Sequence, residues 1–234
     1  MNANSPQRIP LAIKIAYTAF MAVLIPIYLK SYGPTNFLYF CGVAALMTLV
    51  AIWLESSLLL SAALVGAFFS QMLWVVDFFC ELASWAGLFG ADGFHLTGLT
   101  SYMFKPPFFL RFLSFYHFWL VFLLIYLVWR VGYDKRGVIL WMAIAWVLLA
   151  VSYVYMPPPS PSVDPVTKQQ LRDPDIPVNI DYVYNILSDE KAQEWMHPDL
   201  YFATYMAILM LGIYLPTHLL MLWLMPERRQ RNEG

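Results

Sequence analysis

Residues 57–79 read SLLLSAALVGAFFSQMLWVVDFF, and from Ser57 to Val76 they carry no charge. That run matches the about 20 apolar residues a helix needs to cross roughly 30 Å of hydrocarbon. Its first charge, Asp77, falls at the far end. The rest of the chain repeats this character. It has 234 residues, 60% of them hydrophobic and only 12% charged, with a mean hydropathy of +0.59, and no soluble domain has that composition. Five further segments satisfy the same test: 11–29, 36–54, 108–130, 137–156 and 201–225. The expected fold is therefore all-α, one transmembrane domain over residues 1–234, with six helices. Segment 11–29 has no small-x-small site between Val23 and Lys30, so it reads as an uncleaved helix rather than a secretory signal.

Charge sets the expected orientation. With the amino terminus cytoplasmic, eight basic residues fall inside and six outside; the inner ones crowd into the short turn at Arg130, Lys135 and Arg136 and into the tail. Basic residues in short cytoplasmic connections favour N-in, C-in. The net charge of -1 offers no broad basic face for nucleic acid. Cys41 and Cys80, the chain's two cysteines, cannot build a disulfide framework or a zinc ribbon.

Both long connections, 80–107 and 157–200, then lie outside, and each exceeds a structureless linker, which points to a lid, a plug or a binding role. The second opens with Pro157-Pro158-Pro159-Ser160-Pro161, which ends the fifth helix. It continues with Asn179-Ile180-Asp181-Tyr182-Val183-Tyr184, whose alternation suits a short strand or extended segment.

Ionisable groups inside spans cost at least ~2.5 kcal/mol on insertion scales, so they normally face other helices or water and have partners. Two layers emerge. The outer one holds Asp77 and His117; Trp74, Asp77 and Glu81 share one helix face by spacing, and Arg111 sits at the interface. An aspartate beside His117 would hold its ring in one tautomer as a general base, whereas the plainer reading is an interhelical tie, with Arg111 as an alternative partner for Asp77. Thr35 and Asn36, which open the second span, suit an N-cap, or else a nucleophilic hydroxyl and an amide for a carbonyl oxygen. The inner layer pairs Glu55 with His218. Pro216 should bend the last helix near Gly212. His95 and His197 lie in the outer loops, but no His-x-x-x-His spacing marks a metal site, and His117 and His218 lie at different depths for a shared haem; no metal or other cofactor is expected. Phe108, Phe112, Phe115 and Phe118 fall near helical spacing and would line an acyl-chain slot or simply pack.

Two resemblances rest on these residues. Tyr32-Gly33-Pro34-Thr35-Asn36-Phe37-Leu38, Trp53-Leu54-Glu55-Ser56 and Tyr214-Leu215-Pro216-Thr217-His218 resemble an uncharacterised group of bacterial six-span membrane proteins, which implies a bacterial inner membrane and no activity. Over two short segments the chain also resembles the androgen-induced-gene family of transmembrane threonine hydrolases. That resemblance implies a threonine nucleophile at Thr35 and a histidine at His117, within Ser114-Phe115-Tyr116-His117, acting on a fatty-acid ester.

The leading expectation is a protein that binds or hydrolyses a membrane lipid in an outer-leaflet pocket. As an enzyme it would use His117 as base, Asp77 as its orienter and Thr35 as nucleophile, with Asn36, Trp74, Glu81 and Arg111 contacting substrate. Two rivals use the same residues: a non-catalytic subunit binding a membrane partner through its outer loops, and a carrier passing protons between Asp77–His117 and Glu55–His218.

Overall fold

The structure, a computed structural model, describes residues 9–89, 93–98, 100–104, 107–164, 166–173 and 176–225. Its elements in chain order are α1 (Leu11–Tyr32), a 3₁₀ turn (Pro34–Leu38), α2 (Phe40–Leu54), α3 (Ser57–Trp85), α4 (Phe108–Ser114), α5 (Tyr116–Val131), α6 (Gly137–Tyr155), α7 (Pro198–Ala207), a π-helical stretch (Ile208–Tyr214) and α8 (Leu215–Leu224). Five helices are long and apolar enough to cross a membrane: α1, α3, α4–α5, α6 and α7–α8. The protein is an all-α, multi-pass membrane protein by length and composition. No named strand occurs among the described residues, which hold one isolated bridge, Val163 with Gln170.

At about 1.5 Å per residue α2 is only about 22 Å long, short of the hydrocarbon core. Its expected start at residue 36 is corrected to Phe40, and residues 34–38 form the separate 3₁₀ turn. The α2–α3 junction is sharp because Glu55 adopts a left-handed conformation (φ +49°) and Ser56 caps α3, its Oγ accepting from Leu59 N.

α3 is the axis of the bundle, packed against α2, α5 and α6. Over Leu60–Ala67 it is buried on every side, and small residues there let neighbours approach closely. A Cβ on Gly66 would lie 1.8 Å from the Trp141 ring, and one on Gly137 would lie 2.8 Å from Ala62 N. These contacts lay α3 and α6 side by side in parallel. Trp119, too deep for an interfacial belt, packs edge-on against Tyr17 and Phe20 at 5.9 and 4.9 Å.

The fourth span breaks at Phe115 into α4 and α5, with no proline or glycine at the break. In the last span, where a bend is expected from Pro216, the structure has the π-helical stretch, which contains Gly212. A missing N–H at Pro216 leaves carbonyls one turn back that a wider turn accommodates.

Segment 178–183 packs into the end of the bundle at which α1, α3 and α6 finish. Val178, Asn179, Ile180, Asp181 and Val183 are all buried. The extended segment expected there is corrected: residues 180–182 form a 3₁₀ turn in which Asn179, Asp181 and Tyr182 all have positive φ (50°, 54° and 59°). The Asn179 side chain dictates this geometry. Its Nδ2 donates to the carbonyls of Asn185 and Ser188 and to Asp189 Oδ1, and its Oδ1 accepts from Tyr184 N. Tyr184 Oη donates to the Tyr153 carbonyl on α6 and Tyr201 Oη to the Tyr182 carbonyl, which pins the plug to two helices.

Candidate functional site

Asp77 is fully buried, and the first outer loop folds back to surround it. Its Oδ1 accepts from Thr97 N and Oγ1 (both 2.7 Å) and Gly98 N (3.2 Å). Its Oδ2 accepts from Thr100 N and Oγ1 (both 2.8 Å). An ionised carboxylate accepts about four hydrogen bonds, so this cradle occupies it. The expected Asp77–His117 pair is therefore corrected. The physical reason is that two threonines and their amides, placed together by a loop, outcompete one imidazole for the carboxylate. Glu81, one turn further out, bonds His95 Nδ1 at 2.7 Å, so it too ties the loop to α3.

His117 finds other partners. Its Nδ1 lies 2.7 Å from the Ser114 carbonyl, which makes Nδ1 the protonated nitrogen and Nε2 an acceptor. The ring stacks on Trp74, with centroids 5.5 Å apart and planes 17° apart. The hydrogen bond also satisfies a carbonyl freed where α4 breaks from α5. Around the ring, Trp74 and Phe78 stack at 5.4 Å and Phe115 and Phe118 at 4.8 Å, forming a half-buried aromatic wall. Of the phenylalanines expected to line a slot, Phe115 and Phe118 belong to this wall, whereas Phe108 and Phe112 are exposed.

A polar shelf lies above it. Arg111 Nη1 donates to Tyr32 Oη (3.1 Å), and its guanidinium covers the Tyr102 ring at 5.2 Å. Trp74 Nε1 donates to Tyr102 Oη (3.3 Å), and Tyr28 Oη and Ser114 Oγ share a hydrogen bond of 2.6 Å. Arg111 thus joins α4 to α1 and is not the partner of Asp77.

Thr35 and Asn36 are placed differently from either sequence reading. Both lie half-buried in the 3₁₀ turn and cap nothing, because α2 begins at Phe40 without a local side-chain cap. The cap comes from Asp181, whose Oδ1 accepts from Phe40 N at 3.1 Å across 141 positions of sequence. Asp181 is 2% exposed, and its Oδ2 has no partner among the described residues. Burial pushes its carboxyl well above the ordinary range, with the Phe40 amide opposing. No hydrogen bond joins Thr35 to His117, so the proposed nucleophile and base are not brought together. Asn36 instead lines a cavity of about 200 Å³ with Tyr39, Arg172, Val178 and Asp189.

The inner pair is likewise corrected. Glu55 Oε1 accepts from Lys14 Nζ at 2.7 Å and from Ile9 N at 3.4 Å, while His218 Nδ1 bonds Tyr133 Oη at 2.8 Å. Lys14, in the first span, is the nearer charge and removes Glu55 from His218. Sequence reasoning missed Asn179, Asp181, Arg172 and Asp189. The one available signal was an acid set among apolar and aromatic residues at Ile180-Asp181-Tyr182.

No protein-family model matches the chain, and neither a curated protein nor a solved structure does.

Proposed function

We propose that the chain is a six-span protein of a bacterial inner membrane, with both termini cytoplasmic, that binds a lipid without cleaving it at its outer-leaflet end. α2 serves as the sixth, short crossing, with the 3₁₀ turn and the plug completing the outer part of its path. Irregular backbone at such a depth is tolerated where protein buries it. In cells whose native cysteines are replaced, a membrane-impermeant maleimide should label Lys168→Cys and spare Lys135→Cys; the reverse pattern overturns the orientation.

The observation that carries the lipid reading is His117. Its ring is half-buried against an aromatic wall, with Nδ1 committed to the Ser114 carbonyl and Nε2 left as an acceptor. A ligand suited to it brings a hydroxyl or amide hydrogen and lays an acyl chain along Phe115 and Phe118. Arg111, six residues outward, suits an anionic headgroup. Hydrolysis is not the reading favoured, since Asp77 serves its loop and no hydrogen bond joins Thr35 to His117. Lipid extracted from the purified protein and quantified by mass spectrometry should include a hydroxyl- or amide-bearing species that His117→Ala loses about tenfold, as one lost hydrogen bond of roughly 1–1.5 kcal/mol implies. Equal retention by both proteins would sink this assignment.

A specific observation favours a second reading, an interaction subunit. Val166 and Leu187, on the second outer connection, are 86% and 85% exposed, as apolar side chains at a partner interface would be. A second polypeptide recovered in stable ratio, in place of lipid, supports that reading.

A further inference from the structure

The cavity beside the plug is lined by two opposite charges, Arg172 and Asp189, that form no ion pair with each other among the described residues. Arg172 is tethered by backbone carbonyls: Nε donates to Ser160 O at 2.9 Å, and Nη1 to Asp173 O and Ile176 O at 3.3 and 3.4 Å. Among the described residues no bond occupies Nη2. Asp189 is tethered from the other side, its Oδ1 accepting from Asn179 Nδ2 at 3.0 Å, which leaves Oδ2. Both residues line the same cavity, yet among the described residues no ion pair joins them. Separate tethers, one on the proline-rich limb of the loop and one on Asn179, hold the charges apart.

We propose that this cavity binds a small zwitterion, its phosphate or carboxylate on Arg172 and its ammonium on Asp189, with Asn36 and Tyr39 supplying neutral polar contacts. The N–H groups of Nη2 can donate charge-assisted hydrogen bonds to either acid, and an ammonium supplies the donors that Oδ2 lacks. Holding both charges in place before the ligand arrives lowers the cost of ordering them. The volume, about 200 Å³, is below the ~300–1,000 Å³ of sites that enclose drug-sized ligands, so the occupant is a headgroup or a small free molecule rather than a whole amphiphile. This site is separate from His117 and does not depend on the lipid reading.

The test uses the full chain in nanodiscs and phosphoethanolamine as probe, measured by calorimetry. In phosphatidylglycerol discs free of ethanolamine lipid, phosphoethanolamine should bind, whereas ethanolamine alone or inorganic phosphate alone should bind at least about tenfold more weakly. Should the free probe fail while phosphatidylethanolamine is enriched around the protein in mixed discs, the source is the lipid headgroup. Arg172→Gln and Asp189→Asn should each weaken whichever form binds by about tenfold or more. Asp189→Asn retains the Oδ1 acceptor for Asn179, so its loss cannot be ascribed to an unfolded loop, and unchanged melting of that variant confirms it. Binding of neither form, or equal binding by Asp189→Asn, overturns the proposal. His117→Ala should retain this binding whatever it does to the lipid at the aromatic wall.

Discussion

Replacing Asp77 with alanine should lower the protein's stability by about 3–5 kcal/mol, the range for removing one partner from a buried charged network. The substitution removes the acceptor to which the amides and hydroxyls of Thr97 and Thr100 now donate. Thr100 is fully buried, so water does not replace the lost acceptor without opening the loop. Thermal denaturation should show a fall of roughly 10 °C, at about 2–4 °C per kcal/mol for a chain of this size. Hydrogen exchange at the Thr97 and Thr100 amides should rise in parallel. Asp77→Asn keeps one acceptor oxygen but turns an amide group toward donors, and should fall between the two. A variant Asp77→Ala that melts with the wild type would show that the cradle carries no weight.

The second large effect is at Asp181 and has the opposite sign. The folded carboxyl is raised well above its ordinary value by burial, whereas in the unfolded chain it titrates near ~3.9. Between those two values the fold keeps a proton that the unfolded chain releases, so stability falls as pH rises through that window. Asn carries no such proton, and its Oδ1 still accepts from Phe40 N. Asp181→Asn should therefore melt higher than wild type at pH 8 and close to it at pH 4, at about 2–4 °C per kcal/mol recovered. Asp181→Ala removes the cap as well and should forfeit about 1 kcal/mol of that gain. A difference between Asp181→Asn and wild type that does not change with pH would refute the buried, protonated state.

Five of the six expected segments were legible as helices of spanning length because each is a local property, a sufficient run of apolar side chains. Pro216 marked the place of the irregularity near Gly212 for a similar reason, since its missing N–H acts within one turn, although a bend is expected and a π-helical stretch is found. The start of α2 was not legible: Thr35 and Asn36 have the side chains of an N-cap, but the cap is Asp181, supplied by a loop that comes back from beyond α6. Nor was the break at Phe115, where no residue type disfavours a helix and His117 closes the gap by bonding the Ser114 carbonyl.

The candidate site divides the same way. Asp77, Glu81, Glu55 and His218 stood out because lipid tolerates few such groups, and each does have a partner. For Asp77, Glu55 and His218 the partner differs from the one expected, because complementary charge or protonation within a layer does not fix which neighbour is nearest. Thr97, Thr100 and His95 reach α3 through a loop whose path no periodicity reveals, and Lys14 reaches Glu55 because α1 packs beside α2.

Taken alone, the sequence determined that this chain lives in a bilayer, which segments are helical and which residues are too polar to face lipid, since burial cost is set by residue type and run length. The tertiary structure alone decided which polar groups meet: a hydrogen bond needs placement to within a fraction of an ångström, and that placement depends on helix packing and loop return, which no short stretch of sequence encodes.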